Sequence, residues 1–213
     1  TSELGISRLY TRTGDDISGT FPDLVDAIAF DGALDGELLV ARPSGGEVET
    51  GTFSDLQQRL NRKKVSAKQL RDYPAFFRAY DLLQDGGEDL RATPFIVRRA
   101  RLEAFVSKLD PARFDCSDML AFDSWDDLAA LRADPPFAVI EGVMIKRKTA
   151  PYLPGRPKGE WFKWKRDPFL IDAVLMYAQR GHGKRSGFYS DYTFGVWREP
   201  GELVPVGKAY FGF

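Results

Sequence analysis

The chain of 213 residues has 30 lysines and arginines against 31 aspartates and glutamates, a formal net charge of -1, and is 43% hydrophobic and 29% charged. That is the profile of an ordinary globular protein of one large domain, or of a medium domain with part of a second. No apolar run approaches the roughly 18–20 residues of a membrane span, Thr1 to Leu4 lack the character of a signal peptide, and a lone cysteine (Cys116) and a lone histidine (His182) exclude an internal disulfide, a cysteine metal cage and a His-containing triad.

In chain order, residues 7–12 alternate as a strand does, and Thr13-Gly14-Asp15-Asp16 reads as a turn. Phe21 to Ala29, with Pro22 at the first helical position, predicts a short helix. Ala33 to Ala41 is an apolar strand interrupted by Asp35-Gly36-Glu37. Phe53 to Leu60 and Ala67 to Asp72 read as helices, with the basic residues Arg59, Arg62, Lys63 and Lys64 between them. Phe76 to Leu83 is a continuous apolar run closed by Gly86-Gly87, as a hairpin would be. Pro94 to Lys108 predicts a helix with Ile96, Ala100, Ala104 and Phe105 on its apolar face. Ser124 to Ala133 predicts a second helix, capped by Ser124. Strands follow at Val139 to Lys146 and Trp161 to Lys165, and then three alternating segments at Ile171 to Gln179, Tyr192 to Trp197 and Leu203 to Phe213. The expected fold is therefore α+β, with antiparallel sheets and peripheral helices up to about residue 167 and the start of a small β-barrel over 168–213.

Charge is unevenly spread. Between Lys146 and Arg166 stand eight basic residues and one acid, Glu160, whereas Asp110 to Pro136 leans acidic. A charge cluster is often no more than a solvated face. Here some of the charges fall on strands that read as buried, where an unmet charge is expensive. Glu141 stands at the mouth of one such strand, on the parity of Val143 and Ile145. It is either held by backbone donors or holds a metal, and Mg²⁺ accepts one or two carboxylates with phosphate oxygens and water. Lys163 and Lys165, two residues apart on the next strand, share a face and lie about 7 Å from one another. That spacing suits adjacent phosphate oxygens, and the plainer alternative is an edge strand with an exposed lysine face. Glu37 is expected within a strand facing a pocket. Tyr80 sits in a buried run where packing is the default explanation, and Arg12 either binds phosphate or lies exposed.

Taken in order, these constellations resemble the covalent nucleotidyltransferase superfamily, and within it the ATP-dependent DNA ligases of the bacterial repair-type branch. The matching elements are Tyr10-Thr11-Arg12-Thr13-Gly14, Leu34-Asp35-Gly36-Glu37-Leu38, Ala79-Tyr80-Asp81, Glu141 to Lys146, and Trp161 to Lys165. The resemblance implies an adenylation domain over 5–167 followed by the beginning of an OB-type barrel over 168–213, in an enzyme that seals 5′-phosphate/3′-hydroxyl nicks through lysine-AMP and DNA-adenylate intermediates. It also implies that Glu37 binds the ribose of ATP, Tyr80 stacks on adenine and Glu141 holds Mg²⁺, with Lys163 and Lys165 on the α-phosphate. Arg12 would meet the 5′-phosphate of a nick, and Lys146, Arg147, Arg156 and Lys158 would track the backbone of nicked double-stranded DNA. A cytoplasmic, nucleoid-associated monomer with no membrane partner is expected.

The family's K-x-D-G nucleophile element does not occur here. Ala29-Phe30-Asp31-Gly32 has alanine at the nucleophile position and follows Arg12, where the family's lysine precedes that arginine. The nucleophile is accordingly expected on a segment before Gly5, the rest of the barrel beyond Phe213, and the chain alone is expected to be inactive. An RNA ligase or capping-type enzyme, or a non-catalytic nick-binding module, are the competing readings.

Overall fold

Two long runs rich in leucine, alanine and phenylalanine build the central strands of the first unit. In the computed structural model, which describes all residues except 45, 46, 61, 63, 138, 156, 169, 184, 185 and 211–213, the chain forms two compact units, Thr1–Arg166 and Asp167–Phe213. In the first unit, short β1 (Ser2–Glu3) and β2 (Ile6–Ser7) precede helix α1 (Pro22–Val25), strand β3 (Gly32–Ser44) and strand β4 (Glu47–Thr50). Helices α2 (Phe53–Gln57) and α3 (Ala67–Asp72) lead to strand β5 (Ala75–Asp85) and short β6 (Glu88–Asp89). Helix α4 (Phe95–Val106), strand β7 (Phe114–Cys116), helix α5 (Trp125–Ala133) and strands β8 (Gly142–Lys146) and β9 (Trp161–Lys165) complete it.

Seven of these strands form one sheet, ordered β2-β1-β3-β5-β6, with β4 paired to β3 and β7 to β5; every pair is antiparallel except β5–β7. Its core gathers Phe21 at the N-cap of α1 and Leu24 within it, Ala75, Ala79 and Leu82 of β5, Leu102 and Val106 of α4, and Phe114 of β7. β8 and β9 stand apart as a two-stranded ribbon. Helix starts follow local chemistry: Thr52 and Ser66 make capping boxes with Asp55 and Gln69, and Ser124 Oγ accepts from the Asp127 N–H.

Three expectations need correction. Residues 7–12 do not form a strand; the chain pairs only at Ile6–Ser7 and through a Tyr10–Asp16 bridge, because Thr11 and Thr13 hydroxyls bond the Asp15 carboxylate and close a turn there. The ribbon strand begins at Gly142, three residues later than read from the sequence. On α4, Ile96, Ala100 and Ala104 face solvent, and the buried face carries Phe95, Arg98, Arg99, Leu102 and Val106. The apolar periodicity misled because two arginines turn inward, where carboxylates meet them. Arg59, one of the basic residues between α2 and α3, is likewise fully buried, donating to Asp23 at 2.6 and 3.0 Å and to the carbonyls of Thr20 and Tyr73.

The second unit is an antiparallel meander of β10 (Val174–Arg180), β11 (Tyr189–Glu199) and β12 (Glu202–Tyr210). It is compatible with the opening of an OB-type barrel. Among the described residues no helix is long and apolar enough to cross a membrane.

Candidate functional site

The inner part of β3, the start of α2 and the open end of the β8–β9 ribbon line a half-open cavity of about 430 Å³. Its wall carries Glu37 from β3, Glu141 just before β8, Met144 from β8, and Lys163 and Lys165 from β9. The structure thus brings four of the sequence-derived site residues together. Gly36 lets this happen on the β3 side. A Cβ there would sit 2.5 Å from the Arg78 carbonyl oxygen and 2.6 Å from the Phe77 ring, so the strands pair closely only without a side chain.

The ribbon register sets Gly142 opposite Lys165 and Met144 opposite Lys163, so both lysines lie on one face. Glu141, assigned by alternation to the face of Val143 and Ile145, instead reaches Lys165, its Oε2 2.9 Å from Nζ. Gly142 is the reason. Its φ of +146° breaks the alternation, and a Cβ there would lie 2.7 Å from the Lys165 Cα. The charges are also less buried than expected, with 72% of the Glu141 side chain and 59% of the Lys165 side chain exposed. A two-stranded ribbon has no further strands to cover its charged face, so these groups keep their water and avoid the desolvation cost.

The electrostatics differ between the two acids. The hydrogen bond and charge of Lys165, assisted by Lys163, hold the Glu141 carboxyl below the usual carboxylate range. Glu37 keeps solvent contact at the cavity rim, yet the surrounding wall removes enough water to raise its carboxyl. The Lys163 charge opposes that shift, and Glu141 and Asp35 add to it.

Outside the residues that line the cavity, a largely buried polar layer forms that reading by motif did not assemble. Asp81 and Arg98 are both fully buried and paired, at 2.7 Å from Nε to Oδ1 and 3.0 Å from Nη2 to Oδ2. The Tyr152 hydroxyl donates to Asp35 Oδ2 at 2.7 Å across 117 residues of sequence. Tyr80 is half-buried, and burial followed by the charges of Asp35 and Glu37 raises its phenol. Lys146 belongs to this layer and not to a DNA-facing surface. Its side chain is 8% exposed, and its Nζ lies 3.7 Å from Asp81 Oδ2. The sequence signal for this layer was present only as charges inside apolar runs, Asp81 in β5 and Arg98 in α4. Nothing local says which charges meet.

Arg12 is exposed in the Arg12–Thr13 turn. Arg147 is exposed, 3.3 Å from Glu160, and donates to the Gly159 carbonyl oxygen at 3.2 Å. Lys158 is exposed on the loop between β8 and β9, and Arg156 lies outside the described residues.

Comparison with known proteins gives a consistent picture. The profile of the ATP dependent DNA ligase domain matches residues 2–165. A probable DNA ligase of Koribacter versatilis is 35% identical over 229 residues, covering 96% of this chain and 39% of that protein. A DNA ligase of Haloferax volcanii is 35% identical over 214 residues, covering 96% of this chain and 35% of that protein. The chain therefore spans little more than a third of the length of these curated relatives. Among solved structures, a mycobacterial DNA ligase D complexed with ATP and MES superposes with a TM-score of 0.57 at 27% identity, over 97% of this chain and 60% of that one. A Lig E DNA ligase superposes with a TM-score of 0.66 at 19% identity, a likeness of fold alone, over 97% of this chain and 71% of that one.

Proposed function

The chain belongs to the ATP dependent DNA ligase domain family, and from that premise we propose that it supplies the nucleotide- and DNA-binding surfaces of an ATP-dependent DNA ligase that seals 5′-phosphate/3′-hydroxyl nicks in repair or replication. The observation that carries the reading is the convergence of Glu37, Glu141, Lys163 and Lys165 on one cavity. Its volume falls within the roughly 300–1,000 Å³ of small-molecule and cofactor sites. The ATP complex of the similar ligase D supports ATP as the nucleotide.

Within that cavity Glu37 accepts from the ribose hydroxyls and Lys163 and Lys165 hold the α-phosphate, while Tyr80, which stands outside the cavity lining, is proposed as the stacking surface for adenine. Two fixed cations on one strand face favour the charge that develops as a phosphoryl group is transferred. Among the described residues no three His, Cys, Asp or Glu side chains gather as a metal cluster. Glu141 is therefore the protein ligand proposed for Mg²⁺, a hard cation that takes one or two carboxylates and completes its shell with phosphate and water oxygens. Bound there, the ion supplies charge neutralisation for the phosphates. Outside the cavity Arg12 meets the 5′-phosphate of the nick, and Arg147 and Lys158 hold backbone phosphates without reading bases. The protein is proposed to act on nicked duplex DNA as a monomer, with residues 5–167 as adenylation domain and 168–213 as the start of the OB-type barrel.

The sequence has no K-x-D-G element, so the amine that attacks ATP is assigned to no residue of this chain. The chain by itself should not become labelled with AMP from ATP and Mg²⁺ under denaturing conditions. Glu141→Ala should abolish ATP-dependent sealing by the intact ligase and leave its affinity for nicked duplex unchanged. Full sealing by the variant would overturn the metal assignment. The missing nucleophile element also favours a second reading, a nick-binding module without catalysis, in which neither form seals.

A further inference from the structure

Lys146 is a buried ionisable group to which the proposed chemistry gives no task. It ends β8 opposite Trp161, the first residue of β9. Its Nζ stands 4.5 Å from the centre of the Trp161 ring, 4.7 Å from Phe95 and 4.9 Å from Tyr80, with no hydrogen-bond partner among the described residues. Burial lowers its ammonium pKa, against the opposing charges of Asp81 and Asp35. A buried cation is costly to keep, so what it contacts is informative.

Asp35 and Asp81 carry two negative charges against the one cation of Arg98, so Lys146 neutralises the layer, but charge balance does not by itself place it among aromatic rings. Asp35 and Asp81 are register partners on β3 and β5, and like charges so placed repel. Each already has its own partner: Arg98 grips Asp81 through two hydrogen bonds, and the Tyr152 hydroxyl serves Asp35. Lys146 stands 3.7 Å from Asp81, and three aromatic ring centres surround it within 5 Å. A cation centred within 6 Å of a ring is attracted to the ring's negative face and restricts its tilt. One of those rings, Tyr80, is the proposed base platform. The same ribbon carries Glu141 and Lys165 at its other end, where β8 begins and β9 finishes.

We propose that Lys146 is a positioning residue for the nucleotide: its ammonium fixes the Tyr80 ring and ties the β8–β9 ribbon to it, so that the base platform and the phosphate-binding lysines are held at one spacing. This rests on the reading of the cavity as an ATP site. A lysine that merely balanced charge or filled space would affect every ligand of the cavity alike, whereas a lysine that sets the platform acts on the base.

The test uses the 213-residue chain and calorimetric titration with ATP, AMP and inorganic tripolyphosphate. Lys146→Met should weaken ATP and AMP by roughly three- to tenfold and leave tripolyphosphate unchanged, while Lys146→Arg, which keeps the cation, retains most of the affinity. In a Tyr80→Leu background the effect of Lys146→Met should vanish, as a double-mutant cycle requires of two groups that act together. Lys146→Gln carries the same expectation if the methionine variant does not fold. Equal weakening of all three ligands, or no weakening of any, overturns the proposal. A wild-type chain that takes up no ATP instead defeats the cavity reading itself, an outcome distinct from a wild type and variant that bind ATP equally well.

Discussion

Replacing Arg98 by methionine should cost this protein a large part of its stability. The arginine side chain is fully buried and makes four hydrogen bonds: two to Asp81, one to the Thr93 carbonyl oxygen and one to the Ala150 carbonyl oxygen. Methionine refills most of the volume, so the loss is chiefly electrostatic. Asp81, also fully buried, would keep only its bond from the Leu82 N–H and the Lys146 ammonium at 3.7 Å. Removing one partner of a buried ion pair typically costs about 3–5 kcal/mol, because the other charge stays buried without compensation. For a chain of this size each kcal/mol lowers Tm by about 2–4 °C, so a fall on the order of 6–20 °C is expected by circular dichroism. Urea unfolding should give the same sign at unchanged m-value. The pair should also behave as a unit: Arg98→Met combined with Asp81→Leu should recover much of the loss, since an apolar replacement of both partners is often nearly neutral. A single variant that loses less than about 1 kcal/mol, the scale of an exposed pair, would refute the claim that this ion pair is desolvated and organises the buried polar layer.

Two further outcomes follow from named contacts. Burial by itself would raise the Asp23 carboxyl, but hydrogen bonds from Arg59 and the Ala75 N–H, with the charges of Arg59 and Arg113, hold it below the usual range. Its stabilisation is therefore present above the unfolded-state pKa of about 4 and is lost as pH falls through the depressed folded value, so Asp23→Asn should flatten the acid limb of the stability–pH curve; an unchanged limb in urea titrations across that range would contradict this. Gly142→Ala should distort the ribbon, since the Cβ meets the Lys165 Cα at 2.7 Å and the backbone holds φ at +146°; a cost of about 1–3 kcal/mol is expected in thermal unfolding, and a variant as stable as the wild type would show that this conformation is not needed.

How much of the site was legible depended on whether the information was local. The strand Trp161–Lys165 was readable to the residue because alternation within five residues states both its bounds and its lysine face. The cap at Ser124 and the hairpin after β5 were equally local, set by one side chain and by two glycines. The direction of Glu141 was not, since the left-handed Gly142 overrides the alternation on which the expectation relied. The buried face of α4 was misread for another reason. Periodicity scores arginine as outward, and only the carboxylate of Asp81 on β5 makes an inward Arg98 tolerable. Strand β7 gave no periodic signal in three residues; it exists because β5 offers it a parallel edge.

By itself the sequence determined the types of chemistry present and their order along the chain: Glu37 in an apolar strand, Tyr80 beside Asp81, Glu141 before a β-strand, and two lysines on the next. Those are consequences of residue type and spacing, which act over a few residues. The tertiary structure decided which charges meet and which stay in water. Glu141 and Lys165 remain hydrated because a two-stranded ribbon leaves one face open, whereas Lys146, one strand-length away, is enclosed by rings drawn from β5, α4 and β9. The physical reason is that the free energy of a charge depends on its solvent and its partner, and both are supplied by segments far away in sequence.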